Sequence, residues 1–315
     1  ALSPGAENIF FADGTTAQDL RIYSVPARGG ERHPLTKPIT REPVLSPDGS
    51  RIAYVKMRET PDGHFVPHQI WTRSVHGGDA VLICEVDSSP CPIWSPDATK
   101  IAFLGMDQNS NNFDQIRIVS LTGDGKPAGA PSQFDLPDFE SPRGIVDIFA
   151  GWTPDNKIGI LIPSPQVVAL YTVPSEGGKA VQLTTEYTAM PRWTPDGTRI
   201  YFDGAHGGDG AKIEYVAGDG GAVTRLPIRP NITVSFPSQL AISPDGRTLC
   251  YAGFDRSDSI DPNVHLYTVP VEGGTATSIP VELPTDKGSP WSSIVLAPDG
   301  KRIAFTASSG GEPEL

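Results

Sequence analysis

A few residues of this 315-residue chain have types and spacing that suggest chemistry: three histidines, two runs of oxygen-bearing side chains, one arginine and two cysteines. His64 and His68 fall in one connection and His206 in another, and imidazoles converging from two loops would make a metal or base site. Asp107, Asn109, Asn111 and Asp114 offer oxygens much as a calcium loop does, without the Gly and terminal Glu of an EF-hand. Asp255, Asp258 and Asp261 recur at every third position. Solvated turn residues are the simpler reading of both runs, so no cofactor is expected, and calcium is the one ion these ligand types suit. Arg192 suits an anion or a nearby carboxylate. Cys84 and Cys91 are close enough to staple one loop and are not spaced as zinc ligands. A disulfide there implies an oxidising compartment, periplasmic or secreted. Cys250 lies within a strand and reads as an apolar filler.

Motifs of catalysis are missing. The chain has no Gly-x-Ser-x-Gly elbow, no His-Glu-x-x-His, no phosphate loop and no haem-attachment pattern. A net charge of -12 argues against nucleic acid or an anionic membrane surface as partner. No apolar run reaches the length of a membrane-spanning helix. Asn231-Ile232-Thr233 matches a glycosylation sequon, as chance alone would allow in a chain of this length. The first residues lack a basic and apolar leader, as in a chain whose leader has been removed.

Repeats must position these side chains. With 33 Gly and 32 Pro, the composition suits short strands and tight turns. A Pro-Asp-Gly-like turn recurs as Ser46-Pro47-Asp48-Gly49, Ser95-Pro96-Asp97-Ala98, Thr153-Pro154-Asp155-Asn156, Thr194-Pro195-Asp196-Gly197, Ser243-Pro244-Asp245-Gly246 and Ala297-Pro298-Asp299-Gly300. A degenerate copy opens the chain at Ser3-Pro4-Gly5-Ala6. The prolines are 41 to 58 residues apart. Pro presets φ, Asp bonds nearby amides, and Gly or Asn accepts the left-handed conformation. Ala98 is therefore the strained exception. Each turn precedes a β-forming run such as Ile52-Ala53-Tyr54. A third strand then ends, in most repeats, at a Gly-Gly turn, and a more polar fourth strand follows. Four strands at this period describe one blade of a β-propeller.

Trp-Ser/Thr-Pro-Asp-Gly, Ile-Ala-Phe, Ile-Tyr-x-Val and Gly-Gly together resemble the repeat of TolB-like (WD-repeat-like) propellers, with Trp94, Trp152 and Trp193 at the tryptophan position. The resemblance implies an all-β fold of four-stranded antiparallel blades over residues 1–315, one domain of six blades with seven as the alternative. Ring closure is expected by pairing the strands of the two chain ends, with Ile294–Ala297 completing the first blade and Ile303–Thr306 left over. The last residues read as a third strand cut short. Nothing here matches the α/β domain that precedes the TolB propeller.

Such blades send alternate turns to opposite ends, so the Pro-Asp-Gly and Gly-Gly turns share a uniform end and the long, variable connections occupy the other. The variable connections carry His64, Phe65, His68, Phe113, Phe139, Arg143, Tyr187, His206 and Phe236, with Arg192 on a nearby strand; these are the candidate binding residues, and no catalytic residue is assigned. The expectation is a non-catalytic module outside the cytoplasm that binds a protein or polysaccharide of the envelope. The alternatives are a carbohydrate lyase or hydrolase with its site at the channel mouth, or the propeller cap of a larger peptidase.

Overall fold

A computed structural model describes residues 7–16, 18–86, 91–106, 113–135, 149–163, 167–204, 212–229, 232–234, 240–255, 265–280, 291–297, 300–308 and 313–314. All helical or strand structure among them is β-strand. The first sheet holds β1 (Asn8–Asp13), β2 (Arg21–Pro26) and β3 (His33–Pro34). The second holds β4 (Thr40–Leu45), β5 (Arg51–Glu59), β6 (Phe65–Ser74) and β7 (Val81–Glu85). In the third are β8 (Ile93–Trp94), β9 (Lys100–Met106), β10 (Phe113–Ser120) and β11 (Ser132–Asp135). The fourth comprises β12 (Phe149–Trp152), β13 (Lys157–Pro163), β14 (Val168–Pro174) and β15 (Val181–Gln182).

The fifth sheet has β16 (Ala189–Trp193), β17 (Arg199–Asp203), β18 (Ile213–Ala217) and β19 (Thr224–Arg225). After β20 (Ile228–Arg229), the sixth sheet begins with a first strand in two pieces, β21 (Ile232–Val234) and β22 (Ala241–Ile242). It continues through β23 (Thr248–Asp255) and β24 (His265–Pro270); β25 (Gly274–Thr275) pairs in parallel with β20, and β26 (Thr277–Ile279) completes the sheet. The last sheet is β27 (Trp291–Leu296), β28 (Ile303–Ser308) and β29 (Pro313–Glu314).

The fold is thus a six-bladed β-propeller by class: sheets two to six are complete blades, and three-stranded sheets stand at the two chain ends. The last sheet departs from the expectation. β28 is not left over, because it pairs with β27 on one edge and β29 on the other.

Residues cluster into two compact units, 1–138 with 156–158 and 174–179, and 139–155 with 159–173 and 180–315. In the first unit, Phe10, Ile22, Ile52 and Tyr54 fill the layer between sheets one and two. Ile70, Ile83, Trp94 and Phe103 fill that between sheets two and three. In the second unit Ile200 and Phe202 pack with Leu161 and Leu170 on one side of sheet five. Their neighbour Tyr201 packs with Leu249 and Tyr251 on the other. Successive residues enter opposite layers because side chains alternate along a strand, which is why blade strands read as unbroken apolar runs.

The repeated turns explain their own sequence. In sheets two to six the Ser or Thr hydroxyl donates to the Asp carboxylate at 2.5–2.6 Å. In four of these turns the same oxygen accepts the amide five residues on, at 2.9–3.1 Å. Gly49, Gly197 and Gly246 adopt φ of 69°, 72° and 70°, and Asn156 and Ala98 adopt 62° and 57°. Ala98 is accordingly the strained member, since its Cβ crowds a conformation that glycine takes freely.

Candidate functional site

The turn end of the sheets is closed on itself. Hydrogen bonds, led by the neighbouring Ser or Thr hydroxyl, hold Asp97, Asp196 and Asp245 below the usual carboxylate range. At Asp48 burial pulls upward as the largest single effect, yet the Ser46 and Ser50 bonds outweigh it. These aspartates serve their turns. Cations five residues after the turn serine or threonine then reach the Gly-Gly turn, or its counterpart, in the following sheet. Arg51 donates to the Asp124 carbonyl at 2.5 Å, Lys100 to Glu176 at 3.3 Å and Arg199 to Glu272 at 2.9 Å. These latches confirm that both turn types lie at one end. A cleft of about 230 Å³ opens there, lined by Asp48, Arg51, Trp94, Asp97 and Thr99 among others.

The opposite end is irregular in a way the repeat did not announce. Along β5 and β6, Met57 pairs with Pro67 and Lys56 with Gln69, which leaves His68 as the extra residue of a bulge. On β9 and β10, Met106 pairs with Phe113 and Gly105 with Gln115, leaving Asp114 in the matching place. Bulges re-aim side chains and end regular pairing beside sites. The β5–β6 hairpin, with strands of 9 and 10 residues, is the longest described. Its turn is Thr60-Pro61-Asp62-Gly63, another copy of the repeated motif at the other end of a sheet. The same chemistry closes it: the Thr60 hydroxyl donates to Asp62, and the His64 amide donates to that hydroxyl at 3.1 Å. The motif therefore marks a hairpin turn, not a face.

Backbone strain forms a second pattern. Glu42, Cys91 and Met190 have φ of 57°, 42° and 49°, each four residues before the turn Ser or Thr and each followed by proline. Non-glycine residues in this region are costly and cluster near functional positions. Pairing slips at the same place in β4 and β16. Glu-Pro, Cys-Pro and Met-Pro at a fixed offset were the sequence signal.

Of the candidate residues, His64 stands at the tip of the long hairpin, its side chain 79% exposed and Nε2 3.7 Å from Asp62. Phe65 opens β6 opposite Glu59, partly exposed, and His68 is the bulge residue. Phe113 and Asp114 begin β10. Tyr187 lies just before β16, its hydroxyl pushed up by burial and then by the Asp203 charge. Phe139, Arg143, His206, Phe236, Asp107, Asn109 and Asn111, with Asp258 and Asp261, lie outside the described residues, as does Asn231 of the sequon. Among the described residues no group of three or more His, Cys, Asp or Glu is placed to hold a metal.

The expected disulfide is not seen: no bond joins Cys84 to Cys91 in the structure. Cys84 pairs opposite Ile70 in the last strand of sheet two, whereas Cys91 sits in its left-handed turn before Pro92 at the start of sheet three. Burial, eased by Arg117, pushes Cys84 up to about 12, so it is a protonated thiol at neutral pH.

No protein-family profile and no curated protein matches the chain. Solved structures do. TolB from Acinetobacter baumannii is 18% identical at TM-score 0.58, covering 89% of this chain, which spans 65% of the length of that one. An oligogalacturonate lyase from Vibrio parahaemolyticus is 14% identical at TM-score 0.68, covering 99% and 86%. The propeller domain of the Trilobed protease from Pyrococcus furiosus is 17% identical at TM-score 0.63, covering 97% and 92%. The fold is that of TolB-like propellers. At such identities the likeness speaks for architecture, which hosts unrelated functions.

Proposed function

We propose that this chain is a non-catalytic binding module that works outside the cytoplasm and recognises a protein or polysaccharide of the cell envelope through the bulged end of its sheets. One observation carries the reading: the two ends of the same sheets are built to different rules. At the turn end the carboxylates bond inside their own turns and the cations latch neighbouring sheets. At the other end, the bulge at His68 and the long hairpin bearing His64 and Phe65 present side chains that the repeat does not require. Binding function concentrates on such irregular connections over a rigid scaffold. Residence in the envelope rests on the TolB-like resemblance. A second reading, a carbohydrate lyase, is favoured by the fold likeness to the Vibrio parahaemolyticus oligogalacturonate lyase.

Immobilised protein titrated with separated envelope-protein and polysaccharide fractions tests both. Phe65→Ala and His68→Ala should weaken the bound fraction's affinity at least tenfold, as loss of a contact centre does, with melting temperature nearly unchanged. Depolymerisation of a uronate polymer by the wild type would replace this reading with the second.

A further inference from the structure

Of the latches at the turn end, the one from sheet two lacks its carboxylate. Lys100 reaches Glu176 and Arg199 reaches Glu272, each in the Gly-Gly turn of the following sheet. Ser120 stands opposite Lys100 and Pro270 opposite Thr248, each partner five residues after its turn serine. Two positions on, Thr122 therefore stands where sheet six has Glu272. The turn itself differs there. Sheet three has Thr122-Gly123-Asp124-Gly125, whose Thr122 hydroxyl donates to Asp124 at 2.5 Å and accepts the Lys126 amide at 3.2 Å. Asp124 then pairs with Lys126 at 2.6 Å. Arg51 is left with the Asp124 carbonyl at 2.5 Å, and no carboxylate pairs with it among the described residues.

A space opens where that carboxylate is missing. The cleft of about 230 Å³ between sheets two and three is lined by Asp48, Arg51, Asp97, Thr99, Thr122 and Gly123 among others. It is smaller than the ~300–1,000 Å³ of pockets that take drug-sized molecules, so it suits one small ligand. Its polar groups carry both signs, the guanidinium donating only and the carboxylates accepting only. Arg51 spends Nη2 alone, and the bonds to Asp97 fall on Oδ1, leaving Oδ2 without one among the described residues. A lone anion here would face two carboxylates, and a lone cation would face the guanidinium. A small zwitterion meets each charge with its opposite, its carboxylate lying on Arg51 as Glu272 lies on Arg199. Ala98, with its strained φ of 57°, stands on the same wall, and such strain collects at ligand clamps.

We propose that this cleft binds a free α-amino acid, with its carboxylate on Arg51 and its ammonium on Asp97. The site lies at the end opposite His64 and Phe65, so this proposal and the bulged-end reading stand or fall separately. The test is calorimetric titration of the wild type with glycine, L-serine and L-leucine, beside acetate, ethylammonium and D-glucose at matched ionic strength, with amide-shift mapping of the bound state. At least one amino acid should bind more tightly than each of the three other probes and should shift the amides of Thr99 and Gly123. Gly123 is the place to block the cleft, because a Cβ there meets nothing within 4 Å and its φ lies outside the left-handed range. Gly123→Phe should lose about tenfold in affinity while melting like the wild type, and Arg51→Met should lose at least as much. No binding of any amino acid, or acetate, ethylammonium or glucose binding as tightly as the best of them, would overturn the proposal. Shifts confined to other amides, or wild-type affinity in Arg51→Met, would overturn it as well.

Discussion

Single residues report on their surroundings through protonation. The turn aspartates Asp97, Asp196 and Asp245 are held below their ordinary 3.8, so the stability they contribute is present above that value and lost as pH falls through their folded values. Glu214 has the opposite sign. Burial first, and the Glu186 charge second, raise it above its ordinary 4.5. Its carboxylate lies against Gly204, where any Cβ would collide with it. A raised carboxyl favours the folded state at low pH and penalises it as pH climbs from the ordinary value through the folded one. Glu214→Gln should therefore melt above the wild type at pH 7, and the gap should close near pH 4. A gap that is constant from pH 4 to pH 7 would mean that packing, not charge, sets the difference. Glu214 shows why such groups are hard to read from sequence: it stands on a strand opposite buried Phe202, and its cost comes from burial and from Glu186, which is distant in the chain.

Elements were legible where chemistry is local. Each strand after a repeated turn begins within a residue or two of where it was expected, because Pro, Asp and Gly fix a hairpin without outside help. Features that depend on distant partners were not legible. The Thr60–Gly63 turn carries the same motif at the other end, and the bulge at His68 shows only once β5 is paired. Connections between sheets held another surprise. Thr36 and Thr40 share a hydrogen bond of 2.6 Å, Thr184 and Thr188 one of 2.8 Å, and the first of each pair accepts an amide from the preceding sheet, Ile22 or Leu170. This clasp ties a connection back to the sheet it leaves. Buried amides left without partners are costly, so Thr184→Val should destabilise the chain by about 1–3 kcal/mol in urea melts. A cost under about 0.5 kcal/mol would show that backbone bonds alone hold the connection.

At the scale of the whole molecule, a sequence of near-identical blades still specifies two unlike ends. Repetition makes one end uniform, since the same turn and the same latch recur from sheet to sheet. Irregular connections make the other end individual, as the His68 bulge and the long β5–β6 hairpin show. The cleft between Asp48 and Asp97 keeps the turn end in contention as a docking place. Hydrogen-exchange mapping of the protein with its bound envelope fraction distinguishes the two ends in one measurement. Engagement of the bulged end predicts protection across Thr60–Gln69, with exchange unchanged at the Ser46–Ser50 and Ser95–Thr99 turns. Protection of those turns, with the β5–β6 hairpin exchanging as in the free protein, would contradict it.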